Sequence, residues 1–117
     1  MLEVKIFTLY PDLFPGPLDI GIFKKAKENN IWNLKVINIR DYSKDNHGTV
    51  DDTPFGGGSG MLLRPDILAS ALDDNIKKGE KIIYLSPKGK KFDQNVARSL
   101  SKEKNLNLIC GHFEGVD

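Results

Sequence analysis

The sequence predicts an α/β fold with a mostly parallel sheet and helices on both faces. Segments typical of strands and of helices alternate along the chain, which is the order produced by crossovers between parallel strands. The runs "KIIYLS" (81–86) and "LNLIC" (106–110) are short and continuously apolar, as in strands buried on both faces. The 117 residues, of which 39% are hydrophobic, are consistent with one domain that has its own core.

The first half of the chain contains two strands, a helix and a long loop. "LEVKIFTLY" (2–10) is rich in β-formers and ends at a proline, and "IWNLKVINI" (31–39) is the second strand. Between them, apolar residues recur on one face of a predicted helix from about 18 to 29. Segment 40–60 shows no period and is rich in Asp, Asn, Gly and Pro, so it is a loop of about 20 residues. Loops of that length in compact domains are usually functional or disordered.

The second half alternates helices with buried strands. Pro65 suits the first turn of a helix that ends near Lys78. The apolar positions of that helix recur every four residues: Leu68, Leu72 and Ile76. Strand 81–86 follows, Asp93 is positioned to cap the next helix, and strand 106–110 comes after it.

Composition excludes several classes of function. The chain has 17 Lys and Arg and 16 Asp and Glu, so no global field attracts it to nucleic acid or membranes, and an anionic partner requires a local patch. The single cysteine, Cys110, excludes an internal disulfide and a cysteine-rich zinc site, and it is expected to be inert core. No stretch reaches the roughly 20 apolar residues of a membrane span. These features predict a soluble cytoplasmic protein without metal.

The glycine-rich segment "PFGGGSGM" (54–61) does not match the usual phosphate-binding loops. A Walker A loop ends in Gly-Lys-Ser/Thr, whereas Gly60 precedes Met61 here. Counted from Gly56 and Gly58, the third glycine of a dinucleotide fingerprint is replaced by Met61. A glycine run alone favours a flexible connector, but the apolar residues on both sides of this one indicate a docked loop.

Two further loops follow predicted strands at their carboxyl ends, namely "SPKGKK" (86–91) and "GHFEGVD" (111–117). Ligands of open parallel sheets bind beyond these ends. Small residues at the start of each loop let the backbone approach a ligand closely. Together with the glycine-rich segment, the loops form three candidate walls of one site.

The sequence contains three blocks in this order: "HGTVDDTPFGGGSGM", "IYLSPKGKKFDQ" and "CGHFEGVD". Together they resemble the bacterial tRNA (guanine-N1)-methyltransferases of TrmD type, which are members of the SPOUT class. The opening "FTLYPDLF" is similar to the first strand and turn of that family. The resemblance extends over the whole chain and is specific, because three multi-residue blocks keep their order and separation.

The resemblance implies methyl transfer from S-adenosylmethionine to N1 of the guanine 3′ of the anticodon in tRNA, by a homodimer with a trefoil-knot fold. Family members are much longer than this chain, which would be the N-terminal part of the methyltransferase domain with an incomplete knot. The threaded segment, the aspartate regarded as general base, its arginine partner and the tRNA-binding domain would lie beyond Asp117. The 117-residue polypeptide is therefore expected to be inactive alone and to bind the cofactor weakly or not at all.

The resemblance also implies site residues, with Glu114 in a supporting catalytic role. The cofactor would lie against Tyr84, Leu85, Ser86, Pro87, Gly111, Phe113 and Gly115. The guanine and tRNA would face His47, Asp51, Asp52, Gly58, Ser59 and Gly60. The chemistry agrees, because N1 of guanine carries a proton that a base must remove, and carboxylates accept from the Watson–Crick edge.

Other interpretations of the same residues remain open. Asp51 and Asp52 would also suit a turn before Pro54. The lysines of 86–91 would also suit a solvated face. This sequence departs from the family pattern at three positions. The family often has tyrosine where Phe55 and Phe113 stand and arginine where His112 stands. Two other functions are a non-catalytic RNA-binding module, which the weak net charge disfavours, and a nucleotide- or phosphate-binding protein, supported only by "SPKGKK".

Overall fold

A computed structural model describes residues 1–43, 51–52, 62–85, 89–110 and 115–116. Its main feature is a four-stranded sheet with strands β1 (Leu2–Thr8), β2 (Trp32–Asn38), β5 (Lys81–Leu85) and β6 (Asn105–Cys110). The α-helices of the described ranges are α1 (Gly21–Glu28), α2 (Pro65–Asn75) and α3 (Gln94–Ser101). Three strands of two residues each complete the list: β3 (Asp51–Asp52), β4 (Leu62–Leu63) and β7 (Gly115–Val116).

The strands of the main sheet run in the order β2-β1-β6-β5, and all three pairings are parallel. One helix lies in each crossover along the chain, because α1 separates β1 from β2, α2 precedes β5, and α3 separates β5 from β6. The predicted α/β class with a parallel sheet is confirmed.

The core lies between α2 and one face of the sheet. Phe7 of β1 is fully buried and packs with Ile37 and Ile109 of the neighbouring strands. Helix α2 covers them with its three buried residues, Ile67, Leu68 and Ala71. This helix begins at the predicted proline and ends at Asn75 rather than near Lys78, because Ile76 is already extended.

Helices α1 and α3 lie on the opposite face of the sheet, so the prediction of helices on both faces is confirmed. A cleft of about 660 Å³ separates them there, with Ile6 and Leu108 of the sheet, Phe23 of α1 and Ser101 of α3 among its lining residues. None of the helices within the described ranges is long and apolar enough to cross a membrane.

The helix predicted from 18 to 29 is shorter than expected. A 3-10 helix spans Gly16–Asp19, and α1 begins only at Gly21. The break lies at Ile20, which is extended, and Gly21, which has a φ of 61°. A positive φ favours glycine, so the backbone changes direction at this residue.

The prediction of a fully buried strand at 81–86 was wrong. In the described part of the sheet β5 pairs only with β6 and forms an edge, and Ile82 and Leu85 are each 49% exposed. An apolar run indicates what a strand would bury, but it does not indicate whether a neighbour is present to cover it.

Gly79 forms a turn that connects α2 to β5. The Glu80 N–H donates to the Lys77 carbonyl over 3.2 Å, and Gly79 has a φ of 91°, as at the third position of a type II turn. An added Cβ at Gly79 would meet no atom within 4 Å, so a substitution there strains only the backbone.

Gly79→Ala is expected to lower the free energy of unfolding by about 1 kcal/mol, because a left-handed residue with a Cβ is strained. Urea unfolding of the purified protein measures this loss. Lys78→Ala, one residue earlier in the same turn, is the matched control and should stay within about 0.5 kcal/mol of wild type. Equal losses in the two variants would contradict the assignment of the strain to Gly79.

Candidate functional site

The second sheet joins three segments that are far apart in sequence. Its central strand, β4, pairs antiparallel with β3 and parallel with β7. Asp52 is opposite Leu62, and Leu62 is opposite Gly115. The backbone of the paired acids and that of the last motif therefore lie on either side of one strand.

The same pairing brings together the two described residues that flank segment 53–61. Residues 53–61 connect β3 to β4 along the chain, and the antiparallel register puts Asp52 beside Leu62. The described residues on either side of this segment, Asp52 and Leu62, are thus neighbours, and Leu62 also pairs with Gly115. Two of the three sequence blocks, the one with Asp51 and Asp52 and the one with Gly115, are therefore joined through the hydrogen-bonded backbone of β4.

Tyr84 and Leu85 lie at the carboxyl end of β5, where sequence analysis placed a ligand. Their partners across the register are Ile109 and Cys110 of β6. The Tyr84 side chain is 39% exposed. Two predicted cofactor residues of the described part therefore share one end of the parallel sheet, as ligand sites of such sheets do.

A cleft of about 880 Å³ lies between β5 and α3, on the side of the 89–93 segment. Tyr84, Leu85, Phe92 and Val96 line it together with Gly89. The volume is within the range of small-molecule sites, roughly 300–1,000 Å³, and such sites are mostly apolar. An apolar cleft with two aromatic side chains at its wall suits a flat aromatic group such as a purine ring.

Burial disfavours the reactive, ionised form of the Cys110 thiol. Burial raises the pKa of this thiol above its ordinary value of 9.0, so it stays protonated at neutral pH, and the thiolate is the reactive form. Cys110 lies at the carboxyl end of β6, opposite Leu85 in the register with β5, and it is half-buried rather than part of the core as predicted.

A buried polar cluster under the C-terminal end of α2 was missed by sequence analysis. The Lys5 ammonium lies 3.4 Å from the Glu80 carboxylate, and their side chains are only 13% and 11% exposed. The fully buried Asn107 amide donates to the same carboxylate oxygen over 3.3 Å and to the Lys81 carbonyl over 3.1 Å. Among the described residues no donor reaches Asn107 Oδ1. The sequence signal that could have indicated this cluster is the presence of a polar residue inside each of two predicted strands. These residues are Lys5 and Asn107.

The cluster holds Glu80 ionised. Burial alone would raise the pKa of this carboxyl, but the hydrogen bond from Asn107 and the positive charge of Lys5 outweigh it, so the pKa lies below the ordinary value of 4.5. A depressed pKa in the folded state stabilises the fold above the unfolded-state pKa, and this contribution is lost as the pH falls through the folded-state pKa.

The Glu80→Gln variant is expected to lose less stability in acid than wild type does, because it has no carboxylate to protonate. Free energies of unfolding measured from about pH 6 to about pH 3 should decline more steeply in wild type below the ordinary carboxyl pKa. Parallel declines for the two proteins would contradict the ionised, paired state of Glu80.

A second set of hydrogen bonds, at Tyr42, holds the 3-10 helix that precedes the predicted substrate loop. Tyr42 ends a 3-10 helix, Ile39–Tyr42, and its hydroxyl donates to Asp74 over 2.5 Å and accepts from the Asn75 amide over 2.8 Å. The hydrogen bond to Asp74, with burial, raises the pKa of Tyr42 above 10.0. Both partners belong to the last turn of α2.

The remaining predicted site residues lie outside the described residues or are described by backbone alone. Those outside are His47, Gly58, Ser59, Gly60, Ser86, Pro87, Gly111, Phe113 and Glu114. Their predicted roles stay predictions. Asp51, Asp52 and Gly115 are placed by strand pairing, and Tyr84 and Leu85 are placed with their side chains.

Comparison with known proteins gives a family match over nearly the whole chain. The family described as "tRNA (Guanine-1)-methyltransferase TrmD" matches residues 2–117. A curated relative from Pelagibacter ubique (strain HTCC1062), named tRNA (guanine-N(1)-)-methyltransferase, is 67% identical over 117 residues, covering 100% of this chain and 51% of the relative.

Two more distant relatives carry the same name. The protein of Wolbachia pipientis wMel is 47% identical, with 98% of this chain and 50% of the relative covered. That of Dictyoglomus turgidum is 46% identical, with 100% of this chain and 48% of the relative covered. The chain therefore spans about half the length of these curated relatives and matches their N-terminal part.

Proposed function

Because the chain belongs to the tRNA (guanine-1)-methyltransferase family of TrmD type, we propose that it forms the N-terminal half of an S-adenosylmethionine-dependent catalytic domain. The complete enzyme methylates N1 of the guanine 3′ of the anticodon in tRNA. The observation that carries this proposal is the small sheet, since the pairing of β3, β4 and β7 joins the two acids to the last motif through the strand that follows the glycine-rich segment.

The cofactor side of the proposed site is the cleft between β5 and α3, which includes the carboxyl end of β5. S-adenosylmethionine supplies an electrophilic methyl group when bound. Tyr84 and Leu85 would hold its adenine ring, because they line an apolar cleft of suitable volume. In the proposal, Ser86, Pro87, Gly111, Phe113 and Gly115 complete the contact. This assignment is supported by the described lining of the cleft and by family membership.

The substrate side is assigned to the acids and the glycine-rich segment. Asp51 and Asp52, with His47 and the segment Gly58–Gly60, face the tRNA and hold the target guanine in this proposal. Carboxylates accept hydrogen bonds from the N1 and N2 donors of an unpaired guanine. Positioning N1 in line with a methyl donor accounts for much of the rate of such a reaction.

Proton removal from N1 is assigned to the rest of the enzyme, with Glu114 supporting it. Glu114 directly precedes β7, whose backbone is one strand away from Asp51 and Asp52. The assignment of its carboxylate to the substrate side is supported by family membership. Family membership also supports a homodimer that acts on tRNA in the cytoplasm.

A paired assay tests the proposed function. The chain is joined to the C-terminal half of the Pelagibacter ubique relative, and cofactor binding by calorimetry and methyl transfer to unmodified tRNA are compared with those of the 117-residue chain. The completed enzyme should bind the cofactor and methylate, whereas the chain alone should show no turnover. Absence of methyl transfer by a folded completed enzyme, or robust turnover by the chain alone, would contradict the proposal.

A further inference from the structure

One arginine connects the ends of strands β1 and β2. Arg40 lies in the 3-10 helix that follows β2, and its Nε–H donates to the carbonyl of Leu9, just beyond β1, over 3.2 Å. Its guanidinium also lies over the ring of Tyr10, 5.7 Å from the ring centre, which is within the range of a cation–π contact. We refer to the two stacked side chains as the Tyr10/Arg40 pair.

Hydrogen bonds of the backbone hold both members of the pair in place. The Tyr10 N–H donates to Oγ1 of the fully buried Thr8 over 3.0 Å, and the Tyr10 carbonyl accepts from the Leu13 N–H over 3.1 Å. The Arg40 N–H donates to the Asn38 side chain over 3.0 Å. A side chain that is already held in its binding position loses little freedom when a ligand arrives, so binding is stronger.

The chemistry of the pair suits an anion with several oxygens. Tyr10 is 42% exposed and Arg40 is half-buried, so the pair lies at the surface. A guanidinium has five N–H donors in one plane, so it can keep the contact through Nε and also bind a phosphate. Arginine is the residue best suited to this, because its planar fork matches two phosphate oxygens.

The pair lies at the same edge of the main sheet as the proposed cofactor residues. Phe7, near the end of β1, is opposite Ile109 in the register, and Ile109 is opposite Tyr84. The Tyr10/Arg40 pair follows the carboxyl ends of β1 and β2. Strand β1 is two strands away from β5, about 10 Å at the usual spacing of neighbouring strands. An RNA strand with its target base at the end of β5 therefore passes the pair within a few nucleotides.

We infer that the Tyr10/Arg40 pair binds a backbone phosphate of the substrate tRNA close to the target guanine. Arg40 contacts the phosphate, and Tyr10 orients the guanidinium. This inference rests on the proposed function. The nearly neutral chain, with 17 Lys and Arg and 16 Asp and Glu, requires such a local contact to bind a polyanion. An arginine that only joined β1 to β2 would affect both substrates alike.

The test measures binding of tRNA to the completed enzyme by fluorescence anisotropy of a labelled, unmodified transcript, from about 50 to about 200 mM KCl. Arg40→Gln is expected to raise the Kd for tRNA about 10-fold, because a charged hydrogen-bonding contact is lost. The slope of log K against log salt concentration should become shallower by about 0.7–0.9, the value for one phosphate. The Kd for the cofactor, measured by calorimetry, should stay at the wild-type value.

The matched control removes one positive charge at the opposite edge of the sheet. Lys104 is exposed, and its carbonyl accepts from the Glu3 N–H over 2.9 Å at the amino ends of β1 and β6. Lys104→Gln should therefore leave the Kd for tRNA and the salt slope unchanged.

Three further variants separate the charge from its orientation. Arg40→Lys keeps the charge, so the salt slope should stay at the wild-type value while the Kd for tRNA rises because the planar fork is lost. Tyr10→Leu should raise this Kd about threefold with the wild-type slope, because only the stacking ring is removed. Tyr10→Phe keeps the ring and should bind tRNA as wild type does.

The outcomes distinguish this inference from the proposed function. If the wild-type completed enzyme methylates tRNA but Arg40→Gln keeps the wild-type salt slope, or Lys104→Gln lowers it equally, the phosphate contact is wrong and the function stands. Equal rises in the Kd for tRNA and for the cofactor, with a lower free energy of unfolding, would show that Arg40 only joins the strands. A wild-type enzyme that binds tRNA with the expected difference in slope but does not methylate it would overturn the function and support the contact. Absence of tRNA binding by wild type overturns both.

Discussion

Leu63→Pro is expected to lower tRNA methylation by the completed enzyme about 100-fold, the scale at which small misplacements of catalytic groups act. Strand β4 lies between β3 and β7, so a proline in it removes an N–H that faces a neighbouring strand. Loss of this pairing separates Asp51 and Asp52 from the Gly115 backbone. The main sheet with Tyr84 and Leu85 does not include β4, so the cofactor Kd should rise much less than methylation falls, by the share that the Gly115 contact contributes.

Lys78→Pro is the matched control for Leu63→Pro. Residue 78 occupies the second position of the turn that contains Gly79, where proline is favoured. This variant should keep wild-type methylation and gain about 0.4–1 kcal/mol of stability. Methylation by Leu63→Pro near the wild-type level, or an equal loss in Lys78→Pro, would show that the small sheet does not build the substrate wall.

The second large effect is on stability. Lys5→Met is expected to lower the free energy of unfolding at pH 7 by about 3 kcal/mol, because it leaves the mostly buried Glu80 carboxylate without its cation. Chemical denaturation measures the loss. The double variant Lys5→Met/Glu80→Gln should recover part of it, since no unpaired charge then remains under α2.

Lys35→Met provides the control for Lys5→Met. Lys35 lies opposite Lys5 in the register of β2 on β1 and is exposed, so the same substitution one strand away should cost less than about 0.5 kcal/mol. A similar loss at both positions would indicate that a lysine side chain in this sheet stabilises through packing of its stem, and it would contradict the buried ion pair.

Periodicity predicted the strands of the main sheet and its helices because the pattern of apolar residues within each element is a local property of the sequence. Runs such as 106–110 and the spacing of Leu68 and Leu72 reflect what each element buries. The Asp93 cap was likewise predicted from a short motif, and its carboxylate accepts from the Val96 N–H over 2.9 Å. Boundaries were less accurate where the backbone breaks, as at Gly21, whose φ of 61° has no periodic signature.

The features that position the site are non-local, and periodicity does not report them. Strands β3, β4 and β7 have two residues each, too few to show alternation, and their pairing joins residues more than 60 positions apart, Asp52 and Gly115, through Leu62. The edge status of β5 depends on which strands pair with it. Lys5 and Glu80 are 75 residues apart, so the sequence shows a polar residue inside a strand but not its partner.

The family was predicted from the resemblance of the sequence blocks, because the geometry of the described residues is compatible with several functions. The apolar cleft at Tyr84 would suit many flat ligands, and the acids of β3 would suit a turn as well as a base-binding surface. The blocks "TVDD", "SPKGKK" and "CGHFEGVD" in one order restrict the choice, and the family match over residues 2–117 confirms the family. The small sheet joins two of these blocks, "TVDD" and "CGHFEGVD", by pairing with the strand between them.

The most direct test of this account is to map the methylated nucleoside made by the completed enzyme. Two tRNA transcripts are incubated with S-adenosylmethionine, one with guanine 3′ of the anticodon and one with adenine at that position, and the products are digested and identified by mass spectrometry. The account predicts 1-methylguanosine at that position in the first transcript and no methylation of the second. Methylation of another nucleoside, or equal methylation of both transcripts, would contradict it.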